Sequence, residues 1–221
     1  AFKTTFTVKR AGSYRVRATF TDEHGVTGTD ASTTRTTSLP YLGPGSSGVH
    51  VLLLERRLRE LGYYLDGSDR SYTEHTADAM RAFNKVEGRA RLGTVDRATW
   101  FALAQARRPR ARYDTRGFHL EVDQTRQVLL TVRDGRVERV IHVSTGATGN
   151  TPVGRWRIYR KDPGYNAIGM LDTLYFIGGY AVHGYHSVPP YQASHGCARV
   201  PLWAAHGVYS RWSIDDTVYV L

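Results

Sequence analysis

The sequence predicts a multidomain chain with a mostly-β C-terminal domain, a small three-helix domain ahead of it and a short β stretch at the start. Three observations carry that reading. Apolar and polar residues alternate over residues 1–38, apolar residues recur at helical spacing over 41–108, and alternation returns beyond the basic, proline-broken stretch Arg107 to Arg112. The length of 221 residues exceeds an average domain of ~100 to 200, so more than one unit is expected. Hydrophobic residues at 41% and charged residues at 23% match a folded globular protein and argue against a disordered chain.

The elements follow in order. Phe2, Thr4, Phe6 and Val8, then Tyr14, Val16, Ala18 and Phe20, form period-two runs broken by Ala11-Gly12-Ser13 and by Asp22-Glu23-His24-Gly25, as antiparallel strands are. Gly12 to Val16 followed by Asp22 to Gly25 resembles the last strands of an immunoglobulin-like or PKD-like module. Two or three strands cannot close a sandwich, so residues 1–38 read as the β remnant of a larger upstream domain. Val51, Leu54, Leu58 and Leu61 then make one stripe of an amphipathic helix stopped by Gly62. A second helix is expected over Glu74 to Glu87, N-capped by Thr73, with Ala79, Ala82, Phe83 and Val86 inward. A third is expected from about Asp96 to Arg107, with Val95, Trp100, Leu103 and Ala104 buried. Beyond the linker, strands are expected at Phe118 to Val122, Val128 to Val132, Val137 to Val143, Gly154 to Tyr159 and Thr217 to Leu221. Asp134-Gly135 is a hairpin turn, and a short helix is expected near Leu202 to Tyr209.

Thirty Lys and Arg against twenty Asp and Glu give a net charge of +10, a field that favours polyanionic surfaces. The basic residues are scattered and no nucleic-acid recognition module is present, so a wall polymer is the expected partner and nucleic acid is not. No apolar run approaches the ~20 residues that cross a bilayer. The chain starts at Ala1 with a segment already patterned as strand, and we read it as a processed or truncated piece. Its single cysteine, Cys197, excludes an intrachain disulfide and a thiolate metal cluster.

His183, His186, His195 and Cys197 fall within fifteen positions, in a chain with nine His and one Cys. A thiol of ordinary pKa ~8.5 needs a base or a cationic neighbour to act as a nucleophile near neutrality, and a nearby His supplies one. Gly196 allows a sharp turn that can gather backbone N–H groups beside Cys197. The rival reading is a zinc site assembled from His183, His186, His195 and Cys197 in a wall peptidase.

Two resemblances bear on these alternatives. Residues 41–108 are similar to the peptidoglycan-binding type 1 repeat. The landmarks are Gly45, Gly48, Leu58, Leu61-Gly62-Tyr63-Tyr64, Thr76, Ala79, Phe83, Gly93, Val95-Asp96 and Thr99-Trp100, with Glu55 where that family usually has Gln. Residues 113–221 resemble the L,D-transpeptidases of the YkuD family through Ser194-His195-Gly196-Cys197 with Arg199, preceded by His183-Gly184. Ser144-Thr145-Gly146, Thr151-Pro152-Val153-Gly154 and Ile177 to Gly184 extend the match.

The resemblance implies a mostly-β L,D-transpeptidase domain that needs no cofactor or metal. Cys197 would be the nucleophile and His183 the base, oriented by the backbone carbonyl of Gly184. The amides of His195, Gly196 and Cys197 would serve as oxyanion donors in a turn shaped by Ser194 and His195. Arg199, Tyr165, Met170 and Tyr175 are implied as substrate contacts. The partners would be peptidoglycan stem peptides and the glycan polymer, met outside the cytoplasm by a secreted or wall-associated enzyme that makes cross-links. L,D-carboxypeptidase action on the same acyl-enzyme is the alternative outcome. The helical domain reads as a tether separable from catalysis, so removing residues 1–110 would be expected to spare activity on small muropeptides.

Overall fold

The computed structural model describes residues 12–16, 19–21, 24–25, 27–29, 33–37 and 39–221. The chain divides into two compact units, Ala1–Tyr41 and Leu42–Leu221. In the first, β1 (Gly12–Val16) pairs antiparallel with β4 (Thr33–Thr37), and β2 (Thr19–Thr21) with β3 (Thr27–Thr29). The alternating run expected over Phe2 to Val8, and with it much of the immunoglobulin-like reading, lies outside the described residues.

The second unit holds four helices and two sheets. Helix α1 (Val49–Glu60) buries Val51, Leu54 and Leu58, and α2 (Glu74–Val86) buries Ala79, Ala82 and Phe83, as their apolar spacing predicts. Thr73 is the N-cap of α2, but its side chain makes no capping bond. Helix α3 (Arg97–Gln105) is shorter than expected. Its N-cap Asp96 accepts from the Thr99 amide, Leu103 is buried, Trp100 is half-buried, and Ala104 is exposed rather than inward. Glu55, the departure from the peptidoglycan-binding pattern, is buried and structural. It accepts from Thr76 Oγ1 at 3.0 Å and from the Arg70 amide at 3.3 Å, tying α1 to α2.

The larger sheet runs in the order β7-β6-β5-β13-β8, built from β5 (Phe118–Asp123), β6 (Val128–Arg133), β7 (Arg136–His142), β8 (Gly154–Arg157) and β13 (Thr217–Val220). Only β5 and β13 run parallel. The smaller sheet, β12-β11-β10-β9, joins β9 (Arg160–Tyr165), β10 (Leu171–Ile177), β11 (Tyr180–Tyr185) and β12 (Ala198–Pro201). One core combines Leu120, Val122, Leu129 and Ile141 with Leu174, Phe176, Val182 and Val200, closed by Ala204, Ala205 and Val208 of α4 (Leu202–Tyr209).

The opposite face of the larger sheet is also dry. Val128, Leu130, Val132, Val137 and Val140 share a second core with Val51, Leu54, Leu58, Met80 and Phe83. That is why Val128–Val132 is buried without a break although its neighbours in the sheet are antiparallel: both faces of β6 are covered. The backbones also join. Gly62, whose φ of +91° ends α1, accepts from the Val140 amide at 2.8 Å, and the Tyr64 amide donates to the Val140 carbonyl at 3.0 Å. In the basic linker, Arg108 donates to the carbonyls of Glu60 and Val137. The helices and the larger sheet therefore share one core within one compact unit.

Candidate active site

Strands β11 and β12 lie side by side and parallel, with His183 in register with Arg199 and Val182 with Ala198. This pairing brings His183, from the middle of β11, and Cys197, the residue just before β12, to one cavity of about 560 Å³. Tyr180, Tyr185, Ser194, His195 and Arg199 also line it, and Ile168 and Met170 arrive from the hairpin between β9 and β10.

His183 is almost wholly buried, and its Nδ1 lies 2.9 Å from the carbonyl oxygen of Gly184. A carbonyl can only accept, so Nδ1 carries the hydrogen and Nε2 is left with the lone pair. Burial pulls the imidazole down to about 4. The Gly184 contact opposes this, and the charge of Arg199 adds to it. Glycine at 184 has a packing reason: a Cβ there would stand 2.6 Å from the Ala205 Cβ. The Cys197 thiol is pushed up by burial, with weaker opposing pulls from the Ala181 backbone and from Arg199, and its Sγ sits 3.7 Å from the Gly179 carbonyl oxygen. Burial thus favours the neutral form of both groups that line the cavity.

The turn before Cys197 is stapled from several sides. Ser194 Oγ donates to the Cys197 carbonyl at 2.6 Å and accepts from the Gly196 amide at 3.0 Å. Thr151 Oγ1 donates to the Gly196 carbonyl at 2.7 Å while accepting from the Gly146 amide, and Asn150 Nδ2 donates to the His195 carbonyl. Gly196 has φ +137°, and a Cβ on it would lie 2.3 Å from Tyr180 Cε1, so the position requires glycine on both counts. Of the three amides expected to face an oxyanion, that of Gly196 donates to Ser194 Oγ here.

The other sequence-derived residues are placed unequally. Arg199 lines the cavity with its guanidinium 4.3 Å from the centre of the Tyr185 ring and a bond to the Ala193 carbonyl. Met170 is in the wall. Tyr175 is buried behind it, clustering with Met170 and Ala181, against which Cys197 packs. Tyr165, 65% exposed, does not line the cavity. His186 is exposed beside the Tyr185 ring, and among the described residues no group of three or more His, Cys, Asp or Glu is arranged to hold a metal ion. The sequence reading gave no role to Asn150 or Tyr185, which come from a loop and a strand end that carry no local signal of chemistry, and Tyr180 was legible only as part of the Ile177 to Gly184 match. Thr151 was legible only as part of the Thr151-Pro152-Val153-Gly154 match.

Comparison with known proteins agrees with this architecture. Residues 117–220 match the L,D-transpeptidase catalytic domain (YkuD), and residues 47–103 match a peptidoglycan binding domain. The crystal structure of the L,D-transpeptidase (residues 123–326) from Xylanimonas cellulosilytica DSM 15894 is similar with a TM-score of 0.77 and 37% identity, over 82% of this chain and 97% of that one. A looser likeness, TM-score 0.48 at 24% identity over 81% of this chain and 94% of the other, is to the L,D-transpeptidase (Yku) from Stackebrandtia nassauensis. No curated protein matches the chain. With catalytic and binding segments both matched and a 37% identical relative covered almost end to end, the chain belongs to the L,D-transpeptidase (YkuD) family.

Proposed function

We propose that the protein is a peptidoglycan L,D-transpeptidase working through a thioester on Cys197. The observation that carries the reading is that the chain's one cysteine and a histidine of fixed tautomer line the same cavity. As the carbonyl of the third residue of a stem tetrapeptide is attacked, the Cys197 proton passes to His183 Nε2 and a carbon–sulfur bond forms. The developing oxyanion takes the amides of Cys197 and His195. His183 returns the proton to the departing nitrogen, the peptide bond breaks and D-Ala leaves. An acceptor amine then attacks the thioester, its proton passes through His183, and the thiol is regenerated with a new cross-link. Water in place of the amine gives L,D-carboxypeptidase action from the same intermediate.

Arg199, its guanidinium stacked on Tyr185, holds a stem carboxylate, with Met170 shaping the cleft. Residues 47–103 keep the enzyme on the polymer and raise the local concentration of stems. The charge of +10 suits an anionic wall, and an enzyme with this substrate would work outside the cytoplasm. Among the described residues no helix is long and apolar enough to cross a membrane.

The test is intact mass after incubation with a carbapenem, run beside Cys197→Ala. One adduct per chain that is absent from the variant is the expected result. An adduct that persists in Cys197→Ala, or none on the unaltered protein, would overturn the assignment of the nucleophile.

A further inference from the structure

Lys85 is a buried cation outside the catalytic cavity that the chemistry above does not use. It sits in the last turn of α2, inside the peptidoglycan-binding match, and is 3% exposed. Its Nζ lies 2.8 Å from the Gln127 carbonyl oxygen, 2.8 Å from the Val143 carbonyl oxygen and 2.6 Å from His142 Nδ1. His142, itself buried, places Nε2 2.8 Å from the carbonyl oxygen of Val188. Because that carbonyl only accepts, Nε2 carries a hydrogen. Nδ1 and Nζ then share one more hydrogen between them, and with it every contact pairs a donor with an acceptor. That pattern needs one positive charge on the pair, although burial brings Lys85 down to about 6. Burial and the nearby guanidinium groups of Arg81 and Arg91 work against that charge, and Asp78 supports it.

Val188 belongs to the 186–193 loop, which leads directly into Ser194 and the Cys197 turn. A second cation from the helical segment holds the same loop: Arg91 donates to the Pro190 carbonyl at 2.8 Å and, through its other nitrogen, to the Thr125 carbonyl at 3.0 Å. The loop is then fixed residue by residue. Ser144 Oγ donates to the Tyr191 carbonyl at 2.6 Å, and the amides of Ala193 and Ser194 both donate to the Thr145 carbonyl. Thr145 is in turn held by the side chain of Gln127, which accepts from the Thr145 amide and donates to its hydroxyl, and the Gln127 carbonyl is one of the Lys85 acceptors. Two hydrogen-bonded routes thus run from Lys85 to the residue that staples the nucleophile turn, one through His142 and Val188 and one through Gln127 and Thr145.

We propose that the peptidoglycan-binding helices are a positioning element of the active site, with Lys85, His142 and Arg91 as positioning residues that hold the 186–193 loop and, through it, the Ser194–Cys197 turn. The proposal rests on the reading of Cys197 as nucleophile. None of the three residues need touch substrate. His142 and Arg91 each fix a carbonyl of the loop, and Lys85 holds His142 and the Gln127 carbonyl behind them; displacement of a reacting group by about an ångström can cost ~10²-fold in rate.

The test compares the unaltered chain with Arg91→Ala, Arg91→Lys and Lys85→Met. Met80→Ala, which hollows the helical core at an apolar side chain, serves as a control for lost stability. Two rates are read on each: carbapenem acylation, and alkylation by iodoacetamide, which reports Cys197 alone and needs no transpeptidase chemistry. Arg91→Ala and Lys85→Met are expected to slow acylation ~10-fold or more and to change the alkylation rate several-fold. Arg91→Lys, which keeps a donor for Pro190, should recover much of the loss, and Met80→Ala should match the unaltered chain at temperatures where it is folded.

Arg91 is half-buried on a loop, so its variants remain informative if Lys85→Met does not fold. Unchanged acylation and alkylation in Arg91→Ala, or equal slowing by Met80→Ala, would overturn the positioning role. Failure of the unaltered chain to acylate while alkylation still responds to Arg91 would overturn the cysteine mechanism and leave the positioning intact.

Discussion

The electrostatics of the Cys197–His183 pair make a prediction that separates two kinds of cysteine catalysis. Burial holds His183 down to about 4 and pushes the Cys197 thiol above its usual value. Lowering His183 from 6.5 to about 4 disfavours its imidazolium form by ~3 kcal/mol, and the raised thiol works against a preformed thiolate–imidazolium pair in the same direction. The proton must therefore move as the carbon–sulfur bond forms, with His183 as a general base. The perturbation is pH, and the assay is the rate of carbapenem acylation beside the rate of iodoacetamide alkylation. Acylation should rise through about pH 4 as His183 loses its proton and then stay level to the alkaline side of neutrality. Alkylation, which needs the free thiolate, should be slow at pH 5–7 and climb only in alkaline buffer. The same burial has a linkage consequence. An unfolded chain protonates His183 near 6.5 and the folded one near 4, so the stability present above pH 6.5 is lost as the pH falls through that window. A plateau of fast alkylation between pH 5 and 8 would refute the reasoning, because it would reveal a standing ion pair.

Other substitutions read the turn and the shared core. Gly196→Ala must move either Tyr180 or the turn, and acylation should fall by ~10²-fold or more; a folded variant acylating at the normal rate would contradict the close approach. Thr151→Val removes the bonds to the Gly196 carbonyl and the Gly146 amide in a buried place, so denaturant melts should show a loss of ~1–3 kcal/mol with slower acylation, and an unchanged midpoint would count against that staple. Removing residues 1–110 uncovers Val128, Leu130, Val132, Val137 and Val140, and the product should lack a cooperative thermal transition by circular dichroism; a soluble truncation with full activity on small muropeptides would favour a separable tether.

Period and composition made the helices and strands legible. Val51, Leu54, Leu58 and Leu61 are all buried, as their spacing requires, and α4 occupies Leu202–Tyr209 where a short helix was expected. Ala104 was misjudged because α3 ends at Gln105, and the stripe that buries Leu103 does not extend to its neighbour in the last turn. The candidate nucleophile and base were legible because their chemistry is compressed into a short signature, and the Gly184 carbonyl only through the family resemblance. Tyr165 was placed in the cleft by nearness in sequence alone. In space the hairpin between β9 and β10 sends Ile168 and Met170 to the cavity instead. The binding of Lys85 to the sheet was invisible for a different reason. A lysine in the last turn of a helix reads as solvated, and nothing local announces three acceptors some 40 to 60 residues further on.

The end of β7 explains why the helical segment and the nucleophile turn are difficult to treat apart. Within three residues it presents His142 and the Val143 carbonyl to Lys85, and then Ser144, whose amide and carbonyl both bond Arg199 at 3.0 and 2.9 Å. Arg199 is two residues beyond Cys197 and stands beside His183 in the sheet. One short stretch of backbone is therefore tied to the binding helices on one side and to the catalytic strand pair on the other. Hydrogen bonds of defined length make these ties, and such contacts tolerate less displacement than apolar packing does. It follows that the helices can slacken their own core without disturbing Cys197 so long as Lys85 and Arg91 keep their acceptors. On the positioning role proposed above, a change that moves Lys85 or Arg91 is expected to reach Cys197 even where the fold survives.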